Sequence, residues 1–190
     1  MFRNGRRRRM LRQAAQLSSV PGPFLQDLSR ANRLLAVGQY AEAAGLFAQL
    51  GLLADKTGHP RQSANLYAQA AQAAAGQPDR ELALLYGRTA LKAFARLGML
   101  LRVTGFLADF SHLLRQKGMD SEANLLQLEF GGQPIKLSPA PVEDEPSALA
   151  SVRLPSACPQ CGAPARSDEV EWIDEQSAEC AYCGGVIQAD

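Results

Sequence analysis

The first 157 residues of this chain contain no cysteine; all four thiols fall in the last 33 residues of 190. A disulfide framework is therefore excluded from most of the molecule, which must be held by packing. Aromatic residues are also scarce, at 6% with a single tryptophan, so any core is built mainly from alanine and leucine, a helix-forming composition. No apolar run approaches the roughly 18 residues needed to cross a bilayer. The start, "MFRNGRRRRM", lacks a following apolar stretch of roughly 7–15 residues, so it does not read as a secretory signal. The expectation is a cytoplasmic protein without a transmembrane segment. In that reducing setting, paired thiols more often hold a metal than form a structural disulfide. Catalytic patterns are missing too: there is no phosphate-cradling glycine loop after a strand and no nucleophile elbow. The two histidines, His59 and His112, lie in different segments, His59 before Pro60 at a turn and His112 on a helix. The expectation is a protein that is not an enzyme.

What is present is arranged by charge. Residues 1–12 carry six arginines and no acid, and residues 143–190 carry 10 acids against 2 basic residues. The formal net charge of +1 thus hides a basic head and an acidic tail, and that polarity bears on partners more than the total does. Arg6, Arg7, Arg8 and Arg9 form a candidate basic arm for nucleic acid, anionic lipid or an acidic protein surface. A solvated tail without a role is the plainer reading.

Two breaks divide the chain. "VPGPF" at 20–24 cannot continue a helix, and residues 131–155 contain five prolines in 25 positions with an acidic run. The expected organisation is a basic N-terminal segment (1–20), a helical domain (21–130), a Pro-rich acidic linker (131–155) and a small cysteine-bearing module (156–190). Between the breaks the apolar residues follow the i, i+3, i+4, i+7 rule: Ala43, Leu46, Phe47, Leu50, Leu53 and Ala54, then Leu82 to Leu97, then Val103 to Leu114. Gly38, Gly76 and Gly118 recur about every 40 residues, each read as an αL helix end followed by a polar helix start. This predicts three antiparallel helical hairpins, 23–37 with 40–56, 60–75 with 79–97, and 99–117 with 119–130, stacked because one hairpin cannot bury its own face.

The phrase Gly38-Gln-Tyr40-Ala-Glu-Ala43, with Phe47 after it, resembles the second-helix signature of tetratricopeptide repeats. The resemblance covers residues 23–130 and implies a binding surface for peptides or proteins rather than catalysis. The spacings of 38 and 42 between the glycines exceed that family's usual 34, and the large first-helix aromatic is absent. A plain helical bundle without a groove is the alternative.

At the other end, "CPQC" and "CAYC" stand 18 residues apart. A Cys-x-x-Cys turn puts two thiolates on one side of a tetrahedral ion, and two turns complete the shell. Cys158, Cys161, Cys180 and Cys183 are therefore the candidate ligands of one structural Zn2+. Four thiolates leave no open position for catalysis, although iron is chemically admissible. A thioredoxin-like redox pair would need a strand–helix context that Pro159 and the nearby glycines do not supply. "EVEWIDE" alternates like a strand, and the 18 intervening residues suffice for a hairpin. The stretch 156–188 resembles a zinc ribbon, including the form Cys-x-Tyr-Cys-Gly. A module this small lies below the size that folds unaided, so the metal supplies its stability.

Residues 158–190 hold seven acids and one arginine, the wrong sign for phosphate, so nucleic acid is disfavoured for the ribbon. Trp172, with Ile173 beside it, is the candidate protein contact; a place in the hairpin core competes for Trp172. The resulting expectation is a mainly α protein: an array of about three helical hairpins, a linker and a small β zinc ribbon, acting as an adaptor between protein partners. A nucleic-acid-associated factor using the arginine arm, and a RING-like component of a ubiquitin-like conjugation pathway, are the alternatives. The partner's identity and the oligomeric state are not encoded legibly.

Overall fold

Alanine-rich segments with an apolar residue every third or fourth position become helices in a computed structural model that describes residues 22–77, 79–132, 153–167, 170–174 and 176–189. Six helices are described: α1 (Gly22–Ala36), α2 (Tyr40–Lys56), α3 (Pro60–Gly76), α4 (Arg80–Arg96), α5 (Leu100–Gln116) and α6 (Asp120–Phe130). The last five begin at intervals of 20 residues, at positions 40, 60, 80, 100 and 120. Three short strands follow, β1 (Glu171–Trp172), β2 (Ser177–Glu179) and β3 (Val186–Gln188), forming an antiparallel sheet in the order β1-β2-β3. No described helix is long and apolar enough to cross a membrane. The basic arm, Arg6 to Arg9, and most of the expected linker lie outside the described residues.

The turns explain the interval. Gly38, Gly58, Gly98 and Gly118 all have φ between 70° and 80°, which a side chain would resist. At Gly98 the glycine N–H donates to Ala95 O at 3.1 Å and the next N–H, of Met99, donates to Phe94 O at 3.0 Å. This double closure of a helix end is the Schellman arrangement, and the same pair of bonds recurs at Gly38, Gly58 and Gly118. The structural period is therefore one helix and its turn, 20 residues, half the expected spacing. Gly76 is the correction: it ends α3 rather than turning the chain, and a Cβ there would lie 2.7 Å from Tyr40 Cδ1. It is small because α2 approaches closely. The expected polar helix starts also fail as caps, because of Gln39, His59, Met99, Met119 and Asp79 only Asp79 caps with its side chain, accepting from Leu82 N–H at 3.0 Å.

Each of α2 to α6 packs against the next in the chain, and α3 meets α5 as α4 meets α6. The register is readable. Tyr40, first in α2, meets Gly76, last in α3, and a Cβ on Gly87 of α4 would lie 2.6 Å from the Phe110 ring of α5; successive helices run antiparallel. Helices two apart run parallel: Arg80 Nη1 reaches Glu122 at 3.4 Å, Arg88 Nε donates to Glu129 at 2.6 Å, and Arg102 Nη2 donates to Asn65 Oδ1 at 2.8 Å. α3 is buried along most of its length, with Ala64, Leu66, Ala70, Ala71, Ala73 and Ala75 fully enclosed. Alanine suits a helix with neighbours close on several sides. The larger apolar side chains Phe47, Leu91, Phe94, Phe110 and Leu114 are at most 1% exposed; each contributes roughly 1.5–3 kcal/mol by leaving water. Phe94, Phe106 and Phe110 form an aromatic row, with centroids 6.0 Å and 5.2 Å apart.

By compactness the chain divides into two units, residues 30–151 and residues 1–29 together with 152–190. α1 runs across that division, and it is not among the closely packed helix pairs.

Candidate metal centre

Both Cys-x-x-Cys turns are hairpin tips built in the same way. In the first, Gly162 N–H donates to Cys158 O at 2.9 Å and Cys158 N–H to Ala163 O at 2.8 Å. In the second, Gly184 N–H donates to Cys180 O at 2.9 Å and Cys180 N–H to Gly185 O at 2.8 Å. The glycine after each pair has positive φ, 74° at Gly162 and 69° at Gly184, so the sequence Cys-x-x-Cys-Gly is read identically twice. The second turn joins β2 to β3 directly, with Cys180 after Glu179 and Val186 opening the next strand. The first is closed by the bridge between Ala157 and Pro164. Gln160 of the first turn lies over Gly185 of the second, where a Cβ would run into its side-chain amide.

This brings together the four cysteines named from the sequence. All are buried, and their sulfurs lie within 4.8 Å of one another. The shortest approaches cross between the turns: 3.7 Å from Cys158 to Cys183 and 3.9 Å from Cys161 to Cys180. A disulfide needs about 2.05 Å, and all four thiols are free. Four sulfurs placed about 2.3 Å from a common centre at tetrahedral corners are separated by about 3.8 Å. The donor set therefore fits one tetrahedral thiophilic ion, with no protein position left open. The Gly185 N–H donates to Cys183 Sγ at 3.4 Å, drawing off part of a thiolate's charge.

The electrostatics point the same way. Hydrogen bonds from Cys161, Cys180 and Cys183 draw the Cys158 thiol far down into the thiolate, while Cys161 and Cys183 are pushed up, first by their hydrogen bonding to Cys158. So close a cluster holds negative charge only by sharing protons, unless a cation replaces them.

Between the turns the expected hairpin is present but shorter than the alternation implied. β1 ends at Trp172, because Asp174 turns the chain: its carboxylate accepts from Gln176 N–H at 2.9 Å, and Ile173 N–H donates to Ser177 O at 2.9 Å. Hydrogen bonds from the Ser177 side chain and then the Gln176 backbone hold the Asp174 carboxyl below the usual range. Trp172 pairs with Ala178, which pairs with Ile187. These three share one face of the sheet, and Ala178 and Ile187 are fully buried. That register places half-buried Trp172 on the module's core face, while Ile173 is 51% exposed. Tyr182, inside the second Cys-x-x-Cys turn, is buried as well.

Neither histidine joins this group. His59 occupies the position before α3, with Pro60 as its first residue, and His112, exposed on α5, contacts Gln116 at 3.4 Å. The four cysteines are the one cluster of metal-ligating side chains among the described residues. Sequence reasoning did not find the positions of β2 and β3; Ser177-Ala178-Glu179 and Val186-Ile187-Gln188 are too short to show a period. Compared with protein-family models, curated proteins and solved structures, the chain matches none of them.

Proposed function

We propose that the chain is a non-enzymatic adaptor: a helical-hairpin array that docks one protein, and a zinc ribbon that presents a second protein-binding surface. The observation that carries the reading is the closed shell of four buried sulfurs at near-tetrahedral separations. A shell with no vacant position stabilises a fold rather than activating water. In this reading Cys158, Cys161, Cys180 and Cys183 hold one Zn2+. Exposed Ile173 at the hairpin turn is the favoured contact residue, with Trp172 supporting it from the core face. The array half of the proposal is supported by the register, antiparallel between neighbours and parallel two helices on, which is the arrangement expected of tetratricopeptide-like repeats. Exposed leucines on its surface, Leu85, Leu101 and Leu128 among them, supply apolar area of the kind a protein partner covers.

Elemental analysis of the purified full chain tests the centre: one zinc per chain is expected, and a metal-free or iron-bearing protein would overturn it. Adaptor function is tested by cross-linking a photoreactive group placed at Ile173 in native extract. Recovery of nucleic acid in place of a protein would favour the alternative reading through the basic arm.

A further inference from the structure

β3 closes the sheet of the cysteine module and pairs on one side only. In the order β1-β2-β3 its neighbour is β2, and among the described residues no strand pairs with its outer side. The bonds that tie β3 to β2 fix which backbone groups are already used. Cys180 N–H donates to Gly185 O at 2.8 Å, and Ala189 N–H donates to Gln176 O at 2.8 Å. Hydrogen-bonded pairs recur at every second residue of an antiparallel ladder. Ile187, opposite Ala178, therefore also turns its N–H and C=O toward β2, while Val186 and Gln188 turn theirs outward. Both of these residues are exposed, Val186 at 41% although it is apolar. Two N–H donors and two C=O acceptors thus stand in a row along a bare edge, the arrangement that an added extended chain completes. The strand carries none of the usual protections of an edge: Val186-Ile187-Gln188 has no proline, no lysine and no other charge.

We infer that the outer side of β3 is a strand-addition site for an extended, basic segment of a partner protein. The inference rests on the proposal that this module binds protein, and it names the kind of partner and the mode of binding. Charge selects the occupant. Residues 158–190 carry seven acids against one arginine, so a segment rich in lysine or arginine is drawn in. Edge-to-edge pairing with a second copy would instead bring two acidic modules together. Backbone bonds to Val186 and Gln188 hold the segment whatever its sequence, and its alternate side chains supply the selectivity. Those beside exposed Val186 favour an apolar or β-branched residue. Ile173 follows β1 at the other side of the sheet, so a contact there and a contact at β3 are separable by mutation.

Amide exchange of the full chain as purified, read residue by residue by NMR, tests it. The probe is a synthetic peptide alternating lysine with valine. At about ten times its Kd it should slow exchange of the Val186 and Gln188 amides about tenfold. The same peptide with every backbone amide methylated keeps its charge and side chains but cannot pair, and should give no such protection. Equal protection by the methylated peptide, or none by the parent peptide, would overturn strand addition. A glutamate-for-lysine peptide should not bind at low salt; binding as tight as that of the lysine peptide would overturn the choice of a basic partner. Val186→Pro removes one outward N–H and no bond to β2, so the peptide should lose its hold on the Gln188 amide; if this variant does not fold, the methylated peptide decides on the unaltered chain. Protection that rises with protein concentration alone would assign the edge to a second copy and end the proposal. Metal content is measured on the same sample. A metal-free chain that still shows the peptide-dependent protection sinks the metal centre and leaves the edge standing, and a metal-bearing chain without it sinks the edge alone.

Discussion

The helical array and the cysteine knot reach order by opposite means. In the array, stability is spread over many side chains of modest size, and no one of them is indispensable. α3 alone encloses more than half its residues, most of them alanines whose individual contribution is small. In the knot, four buried sulfurs within 4.8 Å of one another are placed where they could hold one metal ion, each offering a quarter of its shell. One architecture degrades by degrees and the other fails at once. The difference follows from size: surface-to-volume scaling denies a module of this length enough apolar burial, and an ion held by the four sulfurs would supply it.

The largest expected effect breaks the knot and spares the array. Cys158→Ser or Cys180→Ser should abolish the folded state of residues 153–189 and lose the ion, because structural zinc contributes about 10–16 kcal/mol in small modules. The helical circular-dichroism signal should fall only slightly; a variant that loses most of its helicity would show that the two regions fold as one.

Next, Phe47→Ala or Phe94→Ala should destabilise the array by about 3–5 kcal/mol, since both rings are fully buried. Chemical denaturation followed by helical signal measures this, and the metal content should stay at one per chain. Phe106 is only half-buried, and the corresponding loss there should be smaller.

Gly87→Ala should cost about 1–3 kcal/mol by overpacking, because the added methyl would fall 2.6 Å from the buried Phe110 ring. Gly98→Ala tests the turn instead. Its neighbourhood is open but its φ is +70°, so a penalty of about 1–2 kcal/mol for the left-handed conformation is expected. Equal losses at the two positions, with the same dependence on the size of the substituted side chain, would refute the distinction between close approach and turn.

The smallest effect concerns Glu129, which Arg88 and Lys92 hold at 2.6 Å and 3.4 Å. Against a desolvation that raises it, the hydrogen bond and charge of Arg88, and then those of Lys92, keep its carboxyl below the usual range. A lowered carboxylate contributes stability above its unfolded-state pKa and loses it as pH falls through the folded value. Glu129→Gln should therefore cost no more than about 1 kcal/mol at neutral pH, as exposed ion pairs do, and flatten the decline of array stability on acidification. An unchanged acid limb would show that the bridge is electrostatically idle.

The two regions were also unequally legible in the sequence. Helix limits came within one or two residues because apolar periodicity and glycine punctuation agree along 40–130. The roles of the glycines did not, since Gly76 and Gly118 look alike in a string but differ in backbone conformation and in what lies opposite: Gly118 has φ of 71° with nothing within 4 Å, whereas Gly76 is the last residue of its helix and faces the Tyr40 ring. Fixing on every other turn gave a period of 40 where the fold has 20. The four ligands were legible because thiolate spacing is a local property of two tight turns. The sheet between them was not, as its strands are two or three residues long and are set by pairing and by the Asp174 turn.

The repeated 20-residue helix-and-turn has a consequence for length. Because four of its turns share one backbone solution, direction reverses at each step and is restored at every second one. The array thus behaves like a ruler marked in pairs. An insertion duplicating residues 60–99 would add a forward and a returning helix and present the following segment in its original orientation. An insertion of 20 would reverse everything after it, exchanging the two sides of α5 and α6 and sending the rest of the chain out from the opposite end. Growth and shrinkage of such an array are therefore expected in whole there-and-back strides, with the spacing between its two ends set by the number of strides and not by the identity of the residues within them.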